Sequence, residues 1–200
     1  MTRAWKNRQQ KDPYVRRARE DGFRARAAYK LLELDAKDKL FNDAHVVVDL
    51  GAAPGSWSQV ARRQLDGQAR VIALDVLPMD PLPGVEFLQG DFRDHEVLAR
   101  LEAQLAGRKV DLVLSDMAPN LSGIAASDQM RSIDLAELAL AFARDWLDCS
   151  GRCVVKVFQG AGFDGLLGEF RRTFKSVRVR KPAASRPESR EVYLVGRGLA

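Results

Sequence analysis

Short apolar segments alternate with longer amphipathic segments along most of the 200-residue chain. The first apolar segment, "HVVVDL" at 45–50, is followed by a helical pattern at 56–65 and by a second apolar segment, "RVIALDV", at 70–76. Apolar runs of this length are typical of strands buried on both faces, and helices between them are the usual crossovers of a parallel sheet. The alternation therefore predicts an α/β fold with helices on both faces of a mostly parallel sheet.

The alternation continues to the end of the chain. The long amphipathic pattern at 132–149 predicts one helix that closes near Gly151. Two final strand-like segments, at 176–182 and 190–196, have no helix between them, so we expect them to pair antiparallel. The remaining patterns are helical at 24–40, 94–107 and 162–174 and strand-like at 109–117 and 151–158.

Positive charge is concentrated at the two ends of the chain. Residues 1–30 hold ten Lys/Arg against three Asp/Glu, residues 171–190 hold eight against one, and residues 31–170 hold 13 against 22. Two basic clusters around an acidic body favour a polyanionic partner over a membrane surface, because neither cluster has the apolar face of an interfacial helix. No apolar run is long enough to span a bilayer, and the polar N-terminus lacks the apolar core of a secretory signal. We therefore expect a cytoplasmic protein.

The sequence contains neither a disulfide framework nor a cluster of metal ligands. Cys149 and Cys153 are the only cysteines, and His45 and His95 are isolated from other ligand types. Two cysteines without such company are typical of reduced thiols. We therefore expect no metal site and no catalysis by histidine.

A glycine-rich loop, "DLGAAPGSWSQ", connects the first strand to the helix after it. Gly51 and Gly55 let the backbone approach a ligand where a Cβ would clash. The loop lies at the carboxyl end of a strand, where open α/β sheets bind ligands. Its G-x-x-x-G spacing differs from the G-x-G-x-x-G of dinucleotide-binding loops, which disfavours a nicotinamide oxidoreductase. The spacing fits a nucleoside with an amino-acid tail, such as S-adenosylmethionine, better than a pyrophosphate.

Acidic residues follow the next two strands. Asp75 ends "RVIALD" about twenty residues after Gly55, where an acid hydrogen-bonds ribose hydroxyls. Asp91 in "LQGDF" follows the third strand, where an acid can accept from an adenine amino group. Either aspartate alone is more typical of a helix cap or a turn. In order with the glycine-rich loop, they predict a nucleoside site along three successive strand ends.

A lysine lies within a buried strand. Lys156 is surrounded by apolar residues in "CVVKVF", where an unpaired ammonium is costly unless it pairs or loses its proton. Asp116 follows the preceding strand, "DLVLS", and neighbouring strand ends open into one cleft. From these residues alone, a structural ion pair and a catalytic group are both compatible with Lys156.

A series of short motifs runs in order through nearly the whole chain. They are "RARAAYKL", "VVDLGAAPGSWSQ", "LPMDP", "VEFLQGDFRD", "SDMAPNLSG", "ELAL", "VVKVFQG", "VRKP" and "SREVYLV". Together they resemble the FtsJ/RrmJ family of ribosomal RNA 2′-O-methyltransferases. Ser56 is a departure, because the family loop commonly has glycine there, but serine is a good cap at a helix start. The resemblance implies a Rossmann-like class I methyltransferase fold with seven strands, mostly parallel, and an antiparallel C-terminal strand.

The resemblance implies a catalytic tetrad of Lys30, Asp116, Lys156 and Glu191. A ribose hydroxyl needs a positioned base as it attacks a sulfonium methyl group in line. Burial and the second cation, Lys30, favour the neutral amine of Lys156, whereas the two carboxylates favour the ammonium. Catalysis by proximity and desolvation, with little proton transfer, therefore stays open. Our hypothesis is that Lys156 accepts the proton, Asp116 aligns it and binds cofactor, and the other two complete the network.

The resemblance also implies the residues that contact S-adenosylmethionine. Trp57 is expected to contact it through its backbone, although a packing aromatic is the alternative. Tyr193 is either a packing aromatic or an RNA contact. The implied cofactor contacts are Gly55, Trp57, Asp75, Asp91 and Asp116.

The resemblance further implies the substrate and partners. These are a uridine in 23S ribosomal RNA on the assembled 50S subunit, with no membrane, no obligate protein partner and a monomer as the expected state. Transfer RNA ribose methylation is the nearest alternative, and a non-catalytic RNA-binding α/β module is the alternative of another class. We expect the basic arm at 1–30, with the start of the first helix, to contact RNA. We expect 31–200 to form a single methyltransferase domain.

Overall fold

Six helices and seven strands make up residues 12–120 and 122–200, the part of the chain that the computed structural model describes. The helices are α1 (Pro13–Glu20), α2 (Ala27–Asp38), α3 (Ser56–Gln64), α4 (His95–Leu105), α5 (Ala125–Trp146) and α6 (Phe163–Thr173). The strands are β1 (Val46–Leu50), β2 (Arg70–Asp75), β3 (Val85–Gln89), β4 (Val110–Ser115), β5 (Leu147–Phe158), β6 (Phe174–Arg180) and β7 (Glu191–Leu199).

The strands form one sheet in the order β3-β2-β1-β4-β5-β7-β6. The five strands from β3 to β5 pair parallel, and β7 lies antiparallel between β5 and β6. The predicted mostly parallel sheet with an antiparallel C-terminal strand is therefore confirmed. In this register Lys156 lies opposite Tyr193, and Phe158 lies opposite Glu191. The last strand thus brings two polar residues beside the buried lysine.

Apolar side chains pack on both faces of the sheet. One cluster joins α4, α5 and α6 to strand residues that include Val155, and a second joins α2 and α3 to residues that include Val154 and Tyr193. Because side chains alternate between faces along a strand, Lys156 lies on the same face as Val154. The buried lysine therefore shares the α2 face of the sheet with Lys30, which belongs to α2 itself.

Helix α5 differs from its predicted limits at both ends. It begins at Ala125, before the apolar pattern starts, and the Asp128 carboxylate in its first turn accepts from the backbone of Ser122 and Gly123. It ends at Trp146, because β5 begins at once and Leu147 pairs with Val110 of β4. The prediction of a helix that closes near Gly151 is therefore wrong. A local apolar pattern does not show that a residue pairs with a distant strand.

The segment before α2 packs against the body of the protein. Ala18 of α1 is buried with Tyr29 and Ala184. The guanidinium of Arg26 donates to the carboxylate of Asp12 and to the carbonyl of Ala184. Residues 1–11 of the predicted RNA-contacting arm lie outside the described residues. No helix in 12–120 or 122–200 is both long and apolar enough to cross a bilayer.

Candidate active site

Four charged side chains from four parts of the chain meet at the carboxyl edge of the sheet. Lys156 lies near the end of β5, Asp116 follows β4, Lys30 lies in the first turn of α2, and Glu191 begins β7. The Nζ atom of Lys156 is 3.0 Å from Asp116 Oδ1, and the Nζ atom of Lys30 is 2.6 Å from Glu191 Oε1. The structure therefore brings the four residues of the predicted tetrad together as two ion pairs.

Tyr193 connects the two ion pairs. Its hydroxyl donates to Asp116 Oδ1 at 2.9 Å, and its ring centroid lies 5.8 Å from the Nζ atom of Lys30. Burial, and then the negative charges of Asp116 and Glu191, raise the pKa of Tyr193 well above 10, so the phenol is a neutral donor. The side chain is 0% exposed. The alternative that Tyr193 contacts RNA is therefore wrong. Its position two residues after Glu191, on one face of a strand, is the sequence signal for this connecting role.

Asp116 stays ionised although its side chain is largely buried. Burial opposes ionisation, but the charges of Lys156 and Lys30 and the hydrogen bonds from Lys156 and Tyr193 lower the pKa of Asp116 below its ordinary value. The Lys156 ammonium also donates to the main-chain carbonyl of Asp116. Two oxygen atoms of a single residue thus fix the position of the Lys156 nitrogen.

The loop after β1 has no room for side chains at its two glycines. A Cβ on Gly51 would lie 2.9 Å from the backbone nitrogen of Met117, and the φ of Gly51 is +76°. A Cβ on Gly55 would lie 2.8 Å from both the Met79 sulfur and a guanidinium nitrogen of Arg24, at a φ of +101°. Both positions therefore need glycine. The loop brings bare backbone to the carboxyl edge, beside the residue that follows Asp116.

The side chain of Trp57 is buried in the apolar cluster on the α2 face of the sheet. The ring is 2% exposed, packs 5.7 Å from the ring of Tyr193, and donates from Nε1 to the carbonyl of Ala27 at 2.8 Å. The packing alternative therefore describes the side chain. The backbone N–H of Trp57 belongs to the first turn of α3, where amides lack intrahelical acceptors, so a backbone contact with a ligand stays a prediction.

The acids at the ends of β2 and β3 have different partners. The Asp75 carboxylate accepts from the backbone N–H groups of Ala53 and Leu77, each at 2.8 Å, and so also holds the glycine-rich loop. Each of its oxygens keeps a further lone pair for a hydroxyl donor. The Asp91 carboxylate is bound by the Arg93 guanidinium, whose hydrogen bonds lower the pKa of Asp91. Contacts of Asp75 with ribose and of Asp91 with adenine remain predictions.

Arg24 is a residue of this site that sequence reasoning missed. Its guanidinium donates to the carbonyls of Pro54, Asp80 and Pro81 at distances of 2.7–3.0 Å. Pro54 belongs to the glycine-rich loop, and the other two belong to the loop that follows β2. Arg24 therefore ties together two loops that flank the predicted cofactor contacts. The sequence shows "RAR" and "LPMDP" as separate motifs, and nothing in either one indicates that they touch.

Asp49 is a second missed residue, and it lies beneath the glycine-rich loop. It is fully buried in β1, its Oδ2 accepts from the Ser58 hydroxyl at 2.6 Å, and its Oδ1 has no partner within the described ranges. Burial raises the pKa of Asp49 to about 7; the Ser58 hydrogen bond opposes this shift, and the charges of Asp116 and Asp75 add to it. A signal was present in the sequence, because Asp49 interrupts an otherwise apolar strand.

FtsJ-like methyltransferases, as a family, match residues 23–199 of this chain. The chain belongs to this family. The ribosomal RNA large subunit methyltransferase E of Azoarcus sp. (strain BH72) is 60% identical over 98% of this chain and 95% of that protein. The protein of the same name from Methylobacillus flagellatus is 57% identical over 98% and 94%. A crystal structure of a predicted ribosomal RNA methyltransferase from Plasmodium falciparum is 31% identical, with a TM-score of 0.79 over 88% of this chain and 98% of that one.

The methyl donor of this FtsJ-like methyltransferase is S-adenosylmethionine, and the residues at the carboxyl edge fit that group. Glycines at 51 and 55 leave a cradle that a Cβ would fill. Carboxylates at successive strand ends suit its hydroxyl, amino and ammonium groups, which are all donors, and suit its positive charge. The predicted contacts that lie along this edge are Gly55, Trp57, Asp75, Asp91 and Asp116.

Proposed function

We propose that this FtsJ-like methyltransferase methylates the 2′-hydroxyl of a uridine ribose in 23S ribosomal RNA. The observation that carries the proposal is the pair of ion pairs, Lys156 with Asp116 and Lys30 with Glu191, beside the glycine-rich loop. The ribosomal substrate is supported by the names of relatives that are 57–60% identical over nearly the whole chain.

The protein contributes a base and a fixed geometry to the reaction. S-adenosylmethionine, when bound, supplies an electrophilic methyl group and leaves as a neutral thioether. Lys156 Nζ, once neutral, accepts the proton that the ribose 2′-oxygen loses as it forms the new O–C bond. The resulting ammonium is held by Asp116 through the carboxylate at 3.0 Å and through the main-chain carbonyl. Holding the hydroxyl in line with the methyl group supplies the rest of the rate enhancement.

The second ion pair orients the first. Glu191 accepts from the Ser185 hydroxyl at 2.7 Å and binds Lys30, whose charge helps to keep Asp116 ionised. Tyr193 lies between the pairs and holds Asp116 from the other side. Lys30 and Glu191 therefore act as positioning residues for Lys156 and for the incoming ribose.

RNA recognition rests on positive charge around this edge. The exposed side chains of Arg16, Arg17 and Arg19 on α1 and of Lys181 and Arg190 before β7 provide phosphate contacts. We propose that the arm at 1–30 contributes to this surface and that 31–200 forms one methyltransferase domain. A protein that binds mostly through shape and phosphates suits a structured substrate, so we propose the assembled 50S subunit, met by a monomer in the cytoplasm.

The test is a map of 2′-O-methyl groups in ribosomal and transfer RNA from cells that lack the protein. We expect one uridine of 23S RNA to lose its methyl group, with rescue by the wild-type protein and not by Lys156→Ala. A methyl group missing from transfer RNA instead would overturn the ribosomal substrate. An unchanged pattern in both RNAs would overturn the function.

A second arm of the test concerns the form of the substrate. Transfer of labelled methyl groups is measured on 50S subunits and on protein-free 23S RNA, both isolated from cells lacking the protein. We expect the 50S subunit to be methylated faster. Equal rates on the two substrates would contradict the preference for the assembled particle.

A further inference from the structure

A cluster of arginines lies on the α2 face of the sheet, below the tetrad. Arg152 of β5 lies opposite Arg197 of β7, and Arg197 lies opposite Ser176 of β6. Arg178 is one row nearer to the tetrad, opposite Val195. These residues enclose a cavity of about 40 Å³ that we call the arginine pocket, and its lining is Asp38, Arg152, Ser176, Arg178, Val195 and Arg197.

The arginine pocket holds more positive than negative charge. Its one acid, Asp38, already accepts from Arg178 at 3.0 Å and from Arg180 at 2.7 Å. Burial opposes ionisation of Asp38, but these hydrogen bonds lower its pKa below the ordinary value. Arg152 and Arg197 face each other across neighbouring strands, an arrangement that destabilises like charges unless a counter-ion lies between them. Among the described residues that line the pocket, guanidinium groups therefore outnumber carboxylates, although three carboxylates outside the lining also favour the charged form of Arg152.

Arg152 is buried with an unmet hydrogen bond. The residue is 7% exposed, and its Nη1 donates to the carbonyl of Asn42 at 2.7 Å. Its Nε is buried and finds no acceptor among the described residues. Burial, and next the charge of Arg197, lower the pKa of Arg152. A buried guanidinium with a free N–H is costly, and an anion that accepts from it would remove the cost.

The pocket continues into a broader depression on the surface. Ser176 and Arg197 line both, and the depression, of about 370 Å³, adds Ser150 and Lys175. Arg197 and Lys175 are exposed. A polymer could therefore place one charged group in the pocket while its chain runs over the edge strand β6.

We propose that the arginine pocket binds a backbone phosphate of the RNA substrate. Arginines suit this ligand because a guanidinium donates two parallel hydrogen bonds to phosphate oxygens. Arg152 and Lys156 are four residues apart on one face of β5, a distance of about 13 Å along the strand. A phosphate in the pocket thus belongs to a nucleotide a few positions away from the methylated ribose. This inference rests on the proposed function, since its ligand is the RNA that the enzyme methylates.

The first test compares Arg197→Gln with Arg100→Gln. Arg197 is exposed and lies outside the tetrad, and Arg100 is an exposed arginine of α4 on the other face of the sheet. Affinity for 50S subunits is measured over a series of KCl concentrations. Arg197→Gln should weaken binding several-fold and reduce the slope of log K against log[salt] by about 0.7–0.9, the value for one lost phosphate contact. Equal slopes and affinities for the two variants would overturn the proposal.

The second test separates RNA phosphate from free phosphate. The melting temperature of the protein is compared in inorganic phosphate and in chloride at equal ionic strength. We expect phosphate to stabilise the wild type and Arg100→Gln and to have no effect on Arg197→Gln. If Arg197→Gln loses this stabilisation but keeps the wild-type salt slope for 50S subunits, the pocket binds free phosphate and the assignment to RNA is overturned.

Methyl transfer by the same proteins keeps the two proposals apart. If the wild type methylates no RNA, the proposed function is wrong, whether or not phosphate stabilises the protein. If the wild type methylates RNA and Arg197→Gln binds 50S subunits like Arg100→Gln, only the phosphate site fails. Arg152→Lys, which keeps the charge but lacks an Nε donor, should weaken binding less than Arg197→Gln. A larger loss in a folded Arg152→Lys protein would contradict the view that the combined positive charge of the pocket holds the phosphate.

Discussion

The tetrad and the arginine pocket lie on one face of the same strands but differ in charge balance. In the tetrad, Lys156 and Lys30 each have their own carboxylate, at 3.0 and 2.6 Å. In the pocket, three arginines and one acid, Asp38, are among the described lining residues, and the buried Nε of Arg152 has no acceptor in the described part of the chain. A balanced cluster is held in place before any ligand arrives. We expect the unbalanced cluster, which is more exposed, to be completed by an anion from outside.

The paired charges of the tetrad hold its side chains in position more than they stabilise the fold. A buried ion pair adds little to folding, because the cost of removing two charges from water offsets their attraction. What the pairs provide is a fixed Lys156 nitrogen, held by two oxygens of Asp116, at the edge where the glycine-rich loop ends.

The largest effect is expected when Lys156, the proposed base in the tetrad, is replaced. Lys156→Ala should lower the single-turnover rate of methyl transfer by about 10²–10⁴-fold, the usual contribution of a general base. Affinity for S-adenosylmethionine, measured by calorimetry, should stay within about twofold because no predicted cofactor contact is removed. Lys37→Ala, an exposed lysine of α2, is the matched control. Near-normal turnover in Lys156→Ala would exclude it as the base.

A second effect, on stability, should follow from removing Asp38, the acid that lines the arginine pocket. Asp38→Asn leaves Arg178 and Arg180 without their carboxylate and should lower the free energy of unfolding by about 1–2 kcal/mol, because both arginines are partly exposed and water can solvate them. Inorganic phosphate should restore part of this loss, because it supplies the missing negative charge. Denaturant unfolding with and without phosphate measures both effects, and Asp145→Asn on the surface of α5 is the control. A loss equal to that of Asp145→Asn would show that the pocket needs no acid.

The buried carboxyl of Asp49, on the same face of the sheet as the tetrad, makes the free energy of unfolding depend on pH. Folding raises the pKa of Asp49 from 3.8 to about 7. Between these values the folded state binds more protons than the unfolded state, so the free energy of unfolding falls as pH rises and stays low above pH 7. The side chain introduced by Asp49→Asn cannot ionise. The free energy of unfolding of this variant, relative to that of the wild type, should therefore rise by up to about 4 kcal/mol from pH 4 to pH 8. Parallel stability curves for the two proteins would contradict the raised pKa.

The smallest effect is expected at Arg24, which touches neither cluster. Arg24→Gln loosens the glycine-rich loop from the loop after β2. It should raise the KM for S-adenosylmethionine about tenfold, the equivalent of one lost hydrogen bond to a charged group, and leave kcat within about twofold. Initial rates over a range of cofactor concentrations give both constants. Arg100→Gln is the control. An unchanged KM in Arg24→Gln would show that the hydrogen bonds of Arg24 to the two loops do not affect cofactor binding.

The sequence predicts those features that depend on local pattern or on motif order. Alternating apolar and amphipathic segments predict the parallel part of the sheet, and the missing helix before "REVYLVG" predicts its antiparallel end. The grouping of Lys30, Asp116, Lys156 and Glu191 follows from the resemblance, and the structure brings these four side chains together.

Features that depend on contacts between distant segments could not be predicted in this way. Arg24 donates to carbonyls 30–57 residues away, and backbone carbonyls carry no sequence signature. The basic cluster at 171–190 predicts a polyanion partner, but its composition does not show that Arg178 and Arg180 are bound by Asp38, 140 residues earlier. The place of Tyr193 between the ion pairs also depends on β7 lying between β5 and β6.

The most direct test of the central claim is the pH dependence of single-turnover methyl transfer at saturating cofactor and RNA. If Lys156 accepts the proton, the rate of the wild type should rise tenfold per pH unit and then reach a plateau. Lys30→Ala removes the second ion pair but keeps the proposed base, so it should slow the reaction and still show a rate that depends on pH. A rate that does not change with pH in either protein would contradict proton transfer to Lys156 and assign catalysis to proximity and desolvation alone.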